Sequence, residues 1–351
     1  MKKIMILSGS TNPDLAQNIF YEIKQIDTVK LDKDPVLKDI SVFNNGEIDP
    51  ELKQTVAGAD VFIIQTSITG KVNDNFVESL LLIDAAKRAR AKAVYLVAVI
   101  FPYQRQDRRE TNKNHRPKRK AVSARVIADC FSKAVNVNGV ISVKLHSEQI
   151  EGFFDNTCIV ENIDPTILFS AYLEKENVIK NKYQDDEPMV VAPDVGAAKS
   201  ADDFSNAIGL STYAILNKRR RKRGESEVTH LIGDCNGRDC IIYDDLIDTA
   251  NTVVGGAKKL KEEGAKNIYL MAPHAVFSKN AVEKLLESDI EKIIITDSIP
   301  NPEVKKYPEK FVVLSLASLL AKVIINIHNS QSLQPLVGHK SGELQGEGVN
   351  S

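Results

Sequence analysis

No apolar stretch in this chain is long enough to cross a bilayer, which argues against a helical membrane protein, whose spans need about 20 such residues. The opening run Met1-Lys2-Lys3-Ile4-Met5-Ile6-Leu7-Ser8-Gly9-Ser10 is too short for a signal-peptide core and ends in a turn, so it reads as a first β-strand. Cysteine is sparse, with four residues (Cys130, Cys158, Cys235, Cys240) in 351. That number argues against a disulfide framework and for reduced thiols in a cytoplasmic protein. Cys235 and Cys240 have no second pair at zinc-site spacing, so a structural zinc is not expected. Neither sign of charge dominates: 46 basic residues stand against 47 acidic ones, for a net charge of −1. A balance of that kind describes a soluble protein rather than one devoted to nucleic acid or anionic membrane.

What is present is length and rhythm. A chain of 351 residues exceeds one ordinary compact domain and predicts two domains of about 150 to 200 residues. In the first half, the apolar run 61–65 precedes a helical pattern from about 75 to 90 and a second apolar run at 93–100. The second half repeats the alternation, with strands expected at 189–192, 240–243, 267–272 and 292–296 and a helix at 253–263. Strands separated by helices imply a mostly parallel sheet covered on both faces. Asp164-Pro165 interrupts the pattern, giving expected domains of 1–163 and 164–336. The polar, Gly/Ser-rich residues 337–351 are expected to be a disordered tail.

The most informative stretch is Cys240-Ile241-Ile242-Tyr243-Asp244-Asp245-Leu246-Ile247-Asp248-Thr249-Ala250-Asn251-Thr252. An apolar strand runs into paired carboxylates, then a short hydroxyl-rich turn, then a helical pattern. Carboxylates at a strand end can accept from vicinal sugar hydroxyls or hold a hard cation. The turn at 248–252 opens a helix, whose unpaired amides and dipole stabilise a phosphate. An ordinary N-cap at Asp244 or Asp245 is the alternative, but one cap does not call for three acids and two threonines within nine residues.

Four more segments carry polar chemistry at expected strand ends, where ligands of doubly wound sheets collect. Ala192-Pro193-Asp194-Val195-Gly196-Ala197-Ala198-Lys199 has small residues that let amides approach an anion, or it is simply a tight connection. Leu145-His146-Ser147-Glu148 offers a lone histidine, a type that is usually structural. Phe101-Pro102-Tyr103-Gln104-Arg105-Gln106-Asp107-Arg108-Arg109 supplies forked guanidiniums suited to phosphate oxygens and planar groups suited to a base. Lys218-Arg219-Arg220-Arg221-Lys222-Arg223 is a self-repelling cationic run, expected to be a mobile flap until an anion arrives, with a solvated loop or nucleic-acid patch as its alternatives. Separately, in Phe43-Asn44-Asn45-Gly46-Glu47, periodicity alone makes Phe43 a buried aromatic near a turn.

In order and spacing these segments resemble the ribose-phosphate pyrophosphokinase family, and the 244–252 loop also resembles type I phosphoribosyltransferases. The resemblance implies two tandem phosphoribosyltransferase-like α/β domains and synthesis of phosphoribosyl pyrophosphate and AMP from ATP and ribose 5-phosphate with Mg²⁺. It implies that Lys218 and Arg220 stabilise the transferring group, and that Phe43, Asn45, Glu47, Arg105 and Gln106 bind ATP, the first three from a neighbouring subunit of a homo-oligomer of six chains or fewer. Asp244, Asp245, Asp248, Thr249, Ala250, Asn251 and Thr252 would bind ribose 5-phosphate. Asp194, Gly196 and Lys199 would form the pyrophosphate loop, with His146 and Asp194 at the metal. The sequence departs from the family at Lys144, usually an acid, at Ala197 and Asn251, usually glycines, and at Ser200, often basic. Asparagine tolerates the positive φ that a glycine at 251 would adopt. Two rivals remain: a phosphoribosyltransferase, and a non-catalytic protein that keeps the fold and binds active synthetases. The 113–125 basic stretch is too divergent to carry over the family's allosteric site.

Overall fold

The structure is a computed structural model describing residues 3–26, 30–31, 40–112, 116–179, 187–222 and 225–337, with residues 30, 218–222, 225–229, 335 and 337 described by backbone alone. The expected tail at 338–351, together with Lys113 and Arg223, lies outside the described residues. The chain divides into two compact units. The first comprises Met1–Asp164, Asp297–Pro300 and Ser315–Val337, and the second Pro165–Thr296 and Asn301–Leu314. No helix of the described residues is long and apolar enough to cross a membrane.

In the first unit, strands β1 (Lys3–Ser8), β2 (Lys30–Leu31), β5 (Ala59–Gln65), β6 (Ala93–Ala98), β7 (Gly139–Val143) and β8 (Ile159–Ile163) form one sheet in the order β2-β1-β5-β6-β7-β8. Every neighbouring pair in it is parallel. β5 is buried at every position, with the apolar run 61–64 between the buried polar residues Asp60 and Gln65, as a strand covered by helices on both faces is. A small hairpin of β3 (Ser41–Val42) and β4 (Ile48–Asp49) stands apart from the sheet. Helix α1 (Pro13–Lys24) begins where Pro13 fixes φ and the Asn12 side chain accepts from the Leu15 amide at 3.3 Å, the usual chemistry of a helix start. Its apolar residues Leu15, Ala16, Ile19, Phe20 and Ile23 recur at helical spacing and are buried. Helices α2 (Val72–Arg88) and α3 (Ser123–Asp129) supply the core on the other face, where Leu82, Ile83, Ala86, Ala124 and Ala128 pack with Val61, Ile63, Val94 and Leu96.

In the second unit, β9 (Met189–Ala192), β10 (Tyr213–Lys222), β11 (Glu225–Ile232), β12 (Cys240–Tyr243), β14 (Ile268–Ala272), β16 (Lys292–Thr296) and β17 (Phe311–Leu314) order as β11-β10-β9-β12-β14-β16-β17. All pairs are parallel except β10 with β11. The short strands β13 (Leu246–Ile247) and β15 (His274–Ala275) pair beside the sheet. Helices α4 (Thr166–Lys175) and α5 (Ala198–Ala207) place Phe169 and Phe204 against Tyr243 on one face. Helices α6 (Asn251–Glu262) and α7 (Ala281–Leu286) close the other with Val253, Ala257, Leu260 and Leu285. Tyr243 stacks on Phe204 with ring centroids 4.0 Å apart, a contact worth about 1 kcal/mol beyond its burial that fixes the strand end just before Asp244.

The chain then returns. Helix α8 (Ala317–Asn329) is apolar on almost every side and packs along α1, followed by the short α9 (Gln334–Val337). Asp297 starts α8 by accepting from Leu316 N and Ser315 Oγ at 2.8 and 2.7 Å, while its own carbonyl accepts from the Asn12 side-chain Nδ2 at 2.8 Å. Thus, where the sequence suggested one continuous second domain over 164–336, residues 297–300 and 315–337 group with the first unit. The reason is that α8 packs along α1 of the first unit.

Candidate active site

The expected sugar-phosphate loop lies at the carboxyl end of β12, between β12 and α6. The Asp245 amide donates to Asp244 Oδ1 at 2.9 Å, which turns the two carboxylates within one tight bend. Burial first, then the Asp245 carboxylate and more weakly that of Asp194, push the Asp244 carboxyl well above the usual carboxylate range. Asp194, Asp244 and Asp245 therefore share one negative field. Oxygen donors that repel one another in this way suit a hard divalent cation, although no cluster of three or more His, Cys, Asp or Glu residues at ligating geometry occurs among the described residues. Asp248 is braced from a distance in sequence: the Ser278 hydroxyl donates to its Oδ1, and the Ser278 amide to its carbonyl at 3.0 Å.

Ala250, the residue before α6, takes φ +61°, ψ −6°. This corrects one expectation, since the left-handed residue is Ala250 and Asn251 is already the first helical residue. An alanine in that region costs about 1 kcal/mol or more, and the strain sits where the chain must reverse to aim α6 at the strand end. Ala250 supplies no side-chain cap at the start of α6, the condition in which a helix N-terminus can receive a phosphate. The Asn251 side chain instead turns toward α7, where its Oδ1 accepts from Lys284 Nζ at 2.7 Å, and the same ammonium reaches the Thr249 carbonyl at 3.3 Å. Lys284 on α7 thus places a positive charge on the loop. Neither it nor Ser278 was legible in the sequence, because each lies some thirty positions away with no motif around it.

At the end of β9, Asp194 Oδ1 accepts from the Gly196 and Ala197 amides at 3.0 and 3.3 Å. These loop amides are directed at the chain's own carboxylate. A Cβ at Gly196 would stand 3.1 Å from that oxygen, so a larger residue there would press on the Asp194 carboxylate. Lys199 is exposed, 3.3 Å from Asp203. The cationic run expected as a mobile flap has strand backbone: β10 and β11 form a long antiparallel hairpin in which Lys218 is opposite Val228 and Arg220 opposite Ser226. Arg219 and Lys222 are the positions opposite Glu227 and Glu225. A register shift at Arg221 moves the alternation by one residue, as a bulge does.

In the first unit, the loops after the adjacent strands β6 and β7 lie side by side. Arg105 and Gln106 are exposed on the first, with Gln106 Oε1 accepting from Ser123 Oγ at 2.7 Å. His146 is exposed on the second, and its amide donates to Gln104 Oε1 at 3.0 Å. Lys144 takes φ +41° and pairs with Asp164 at 2.6 Å, so its charge is balanced within this unit. Phe43 is 55% exposed, which corrects the alternative that it is a buried aromatic. It occupies a turn closed by Phe43 N to Glu47 O and Gly46 N to Phe43 O, both 2.8 Å, with Asn45 Oδ1 accepting from the Glu47 amide at 3.1 Å.

Two parallel α/β units, one with an acid-rich strand end facing an uncapped helix start, define a phosphoribosyltransferase-like protein. Comparison with known proteins narrows this. A family described as the N-terminal domain of ribose phosphate pyrophosphokinase matches residues 4–134, and one described as the phosphoribosyl synthetase-associated domain matches 220–337. The chain is 38% identical over 333 residues to ribose-phosphate pyrophosphokinase of Chromobacterium violaceum, covering 95% of this chain and 94% of that one. It is also 38% identical over 338 residues to that of Vibrio parahaemolyticus, covering 96% and 99%. The crystal structure of phosphoribosylpyrophosphate synthetase from Mycobacterium smegmatis superimposes with a TM-score of 0.79 at 31% identity, over 94% of this chain and all of that one. The chain belongs to the ribose-phosphate pyrophosphokinase family. Relatives bearing the enzyme's name over nearly its whole length do not favour the non-catalytic alternative.

Proposed function

We propose that the protein is a ribose-phosphate diphosphokinase that transfers the β,γ-diphosphoryl group of ATP to the 1-hydroxyl of ribose 5-phosphate, releasing AMP. The observation that carries this reading is the strained, acid-rich loop between β12 and α6, with carboxylates on one side and uncapped amides on the other. Asp244 and Asp245 accept from the ribose 2- and 3-hydroxyls, and the 248–252 turn holds the 5-phosphate. The sugar's 1-hydroxyl attacks the β-phosphorus in line, and the leaving AMP carries away negative charge. Catalysis here is positioning and neutralisation of charge. Lys218 and Arg220 neutralise the transferring group. Arg105 and Gln106 hold the nucleotide, with His146 beside its phosphates. Asp194, Gly196 and Lys199 receive the pyrophosphate.

Mg²⁺, when bound, would screen the diphosphoryl oxygens, and the mutually repelling carboxylates of Asp194, Asp244 and Asp245 fit such a cation. His146 is a separate candidate metal contact. Phe43, an exposed aromatic on a short hairpin, suits stacking on adenine in a second copy, with Asn45 and Glu47 at the base edge. A cytoplasmic homo-oligomer is the corresponding assembly.

The test is AMP formation from ATP, Mg²⁺ and ribose 5-phosphate, beside a no-sugar control and a Lys218→Ala variant. Sugar-dependent AMP that falls about a hundredfold or more in the variant supports the reading. A folded protein that forms no AMP, with or without inorganic phosphate, overturns it.

A further inference from the structure

Gln104 belongs to none of the expected binding positions, yet its surroundings are unusual. It is 3% exposed, and its two polar atoms are treated unequally. Oε1 accepts the His146 amide at 3.0 Å across 42 residues of sequence, whereas Nε2 has no hydrogen-bond partner among the described residues. A buried carboxamide with an orphan donor is a local liability that an apolar side chain of the same length would not carry. Such liabilities persist where they serve a site rather than the fold.

The bond it makes joins two loops with sharp turns. Tyr103, just before Gln104, takes φ +59°, and Lys144, two residues before His146, takes φ +41°. Both conformations need support from outside the loop. The strands feeding the loops are paired in parallel with Ala98 beside Ser142, so the loops emerge as neighbours. A second link between them, Gln149 Nε2 to Asp107 Oδ2 at 2.6 Å, is exposed and open to water. The Gln104 link is part-buried, the more sheltered of the two, and a bond of this kind is the stiffer.

We infer that Gln104 is a positioning residue: it locks the backbone at His146 to the loop that carries Arg105 and Gln106, so that both nucleotide-contacting segments keep one spacing before ATP arrives. This rests on the reading of Arg105, Gln106 and His146 as nucleotide contacts. The physical gain is preorganisation, since a loop pair already tied together loses less freedom on binding. Gln104 itself need not touch the nucleotide.

The experiment uses the full chain with Gln104→Met, which keeps length and volume but lacks the acceptor, Gln104→Glu, which restores an acceptor oxygen, and His146→Ala. For each, Mg-ATP affinity is measured by equilibrium titration without sugar, KM and kcat by AMP formation, and the melting midpoint by circular dichroism. The expected result for Gln104→Met is a midpoint at or above that of the parent, with Mg-ATP bound roughly fivefold more weakly. KM for ribose 5-phosphate stays unchanged, and Gln104→Glu recovers much of the lost affinity. Parent-like Mg-ATP affinity in Gln104→Met, beside a clear loss in His146→Ala, overturns the inference and leaves the nucleotide reading standing. A lowered midpoint with parallel losses in every parameter assigns Gln104 to the fold alone and overturns the inference too. No effect in His146→Ala removes the nucleotide reading and the inference with it. Should Gln104→Met not fold, Gln104→Leu is a second side chain without an acceptor and is read against the same outcomes.

Discussion

His328 Nδ1 lies 2.7 Å from Asp60 Oδ2, a buried contact between residues 268 positions apart. It ties the last long helix, α8, to the start of the strand β5, with Lys92 Nζ 3.7 Å from the other carboxylate oxygen. Removing either partner deprives a buried polar group of its shortest contact, so His328→Leu or Asp60→Ala should each cost about 1 to 3 kcal/mol of stability. The double variant should cost clearly less than the sum. Urea unfolding of the four proteins checks this, and strictly additive losses would show that the contact contributes nothing of its own.

Ala250 offers the opposite kind of test. Glycine has no steric penalty at φ +61°, so Ala250→Gly should raise stability by about 0.5 to 1 kcal/mol, the strain relieved less the extra chain entropy. Ala250→Val should lower stability and raise KM for ribose 5-phosphate, since a β-branched residue resists that conformation. Thermal melts with and without the sugar phosphate separate the two effects. An Ala250→Gly protein no more stable than the parent would deny the strain.

The raised Asp244 carboxyl makes stability depend on pH in a definite direction. Between the ordinary carboxylate range, about 4, and the raised value, the folded chain holds a proton that the unfolded chain has released. Stability of the metal-free protein therefore falls as pH rises through that window and returns as pH falls. Asp244→Asn should flatten the dependence and stabilise the metal-free protein at neutral pH while abolishing AMP formation. Urea midpoints taken at several pH values in chelator decide it: parallel profiles for parent and variant would rule out Asp244 as the source.

Three of the four thiols should be nearly inert. Burial pushes Cys158 up to about 11, and burial likewise raises Cys235 and Cys240, which suppresses the reactive thiolate. Cys130 alone is partly exposed. Titration with Ellman's reagent near pH 8 should count about one fast thiol in the native protein and all four in denaturant. Rapid reaction of two or more native thiols would contradict the burial.

Lys284 should matter for the sugar phosphate and not for the nucleotide. Lys284→Met removes the ammonium that holds Asn251 and the Thr249 carbonyl. The expected outcome is a rise of roughly tenfold in KM for ribose 5-phosphate, with KM for ATP unchanged. Steady-state kinetics with each substrate varied in turn are decisive, and equal rises in both constants would point to a general loss of structure.

The alternation of apolar runs with helical patterns was enough to foresee β5, α2, β6, β9, β12, α6, β14 and β16, because period and end signals are properties of neighbouring residues. The cluster of Asp244, Asp245 and Asp248 before a helix start was legible for the same reason: strand, turn and helix follow one another in the chain. The sequence could not show that α8 returns to the first unit, since its apolar surface does not say which apolar surface will cover it. Nor did it show that Ala250 rather than Asn251 takes the left-handed turn, that a cationic run would be hairpin backbone, or that Lys284, Ser278 and Gln104 would meet their partners. Composition and spacing are local, and they determined the elements and the chemistry at their ends. Backbone strain and contacts across tens or hundreds of residues arise only when those elements pack, and the tertiary structure decided them.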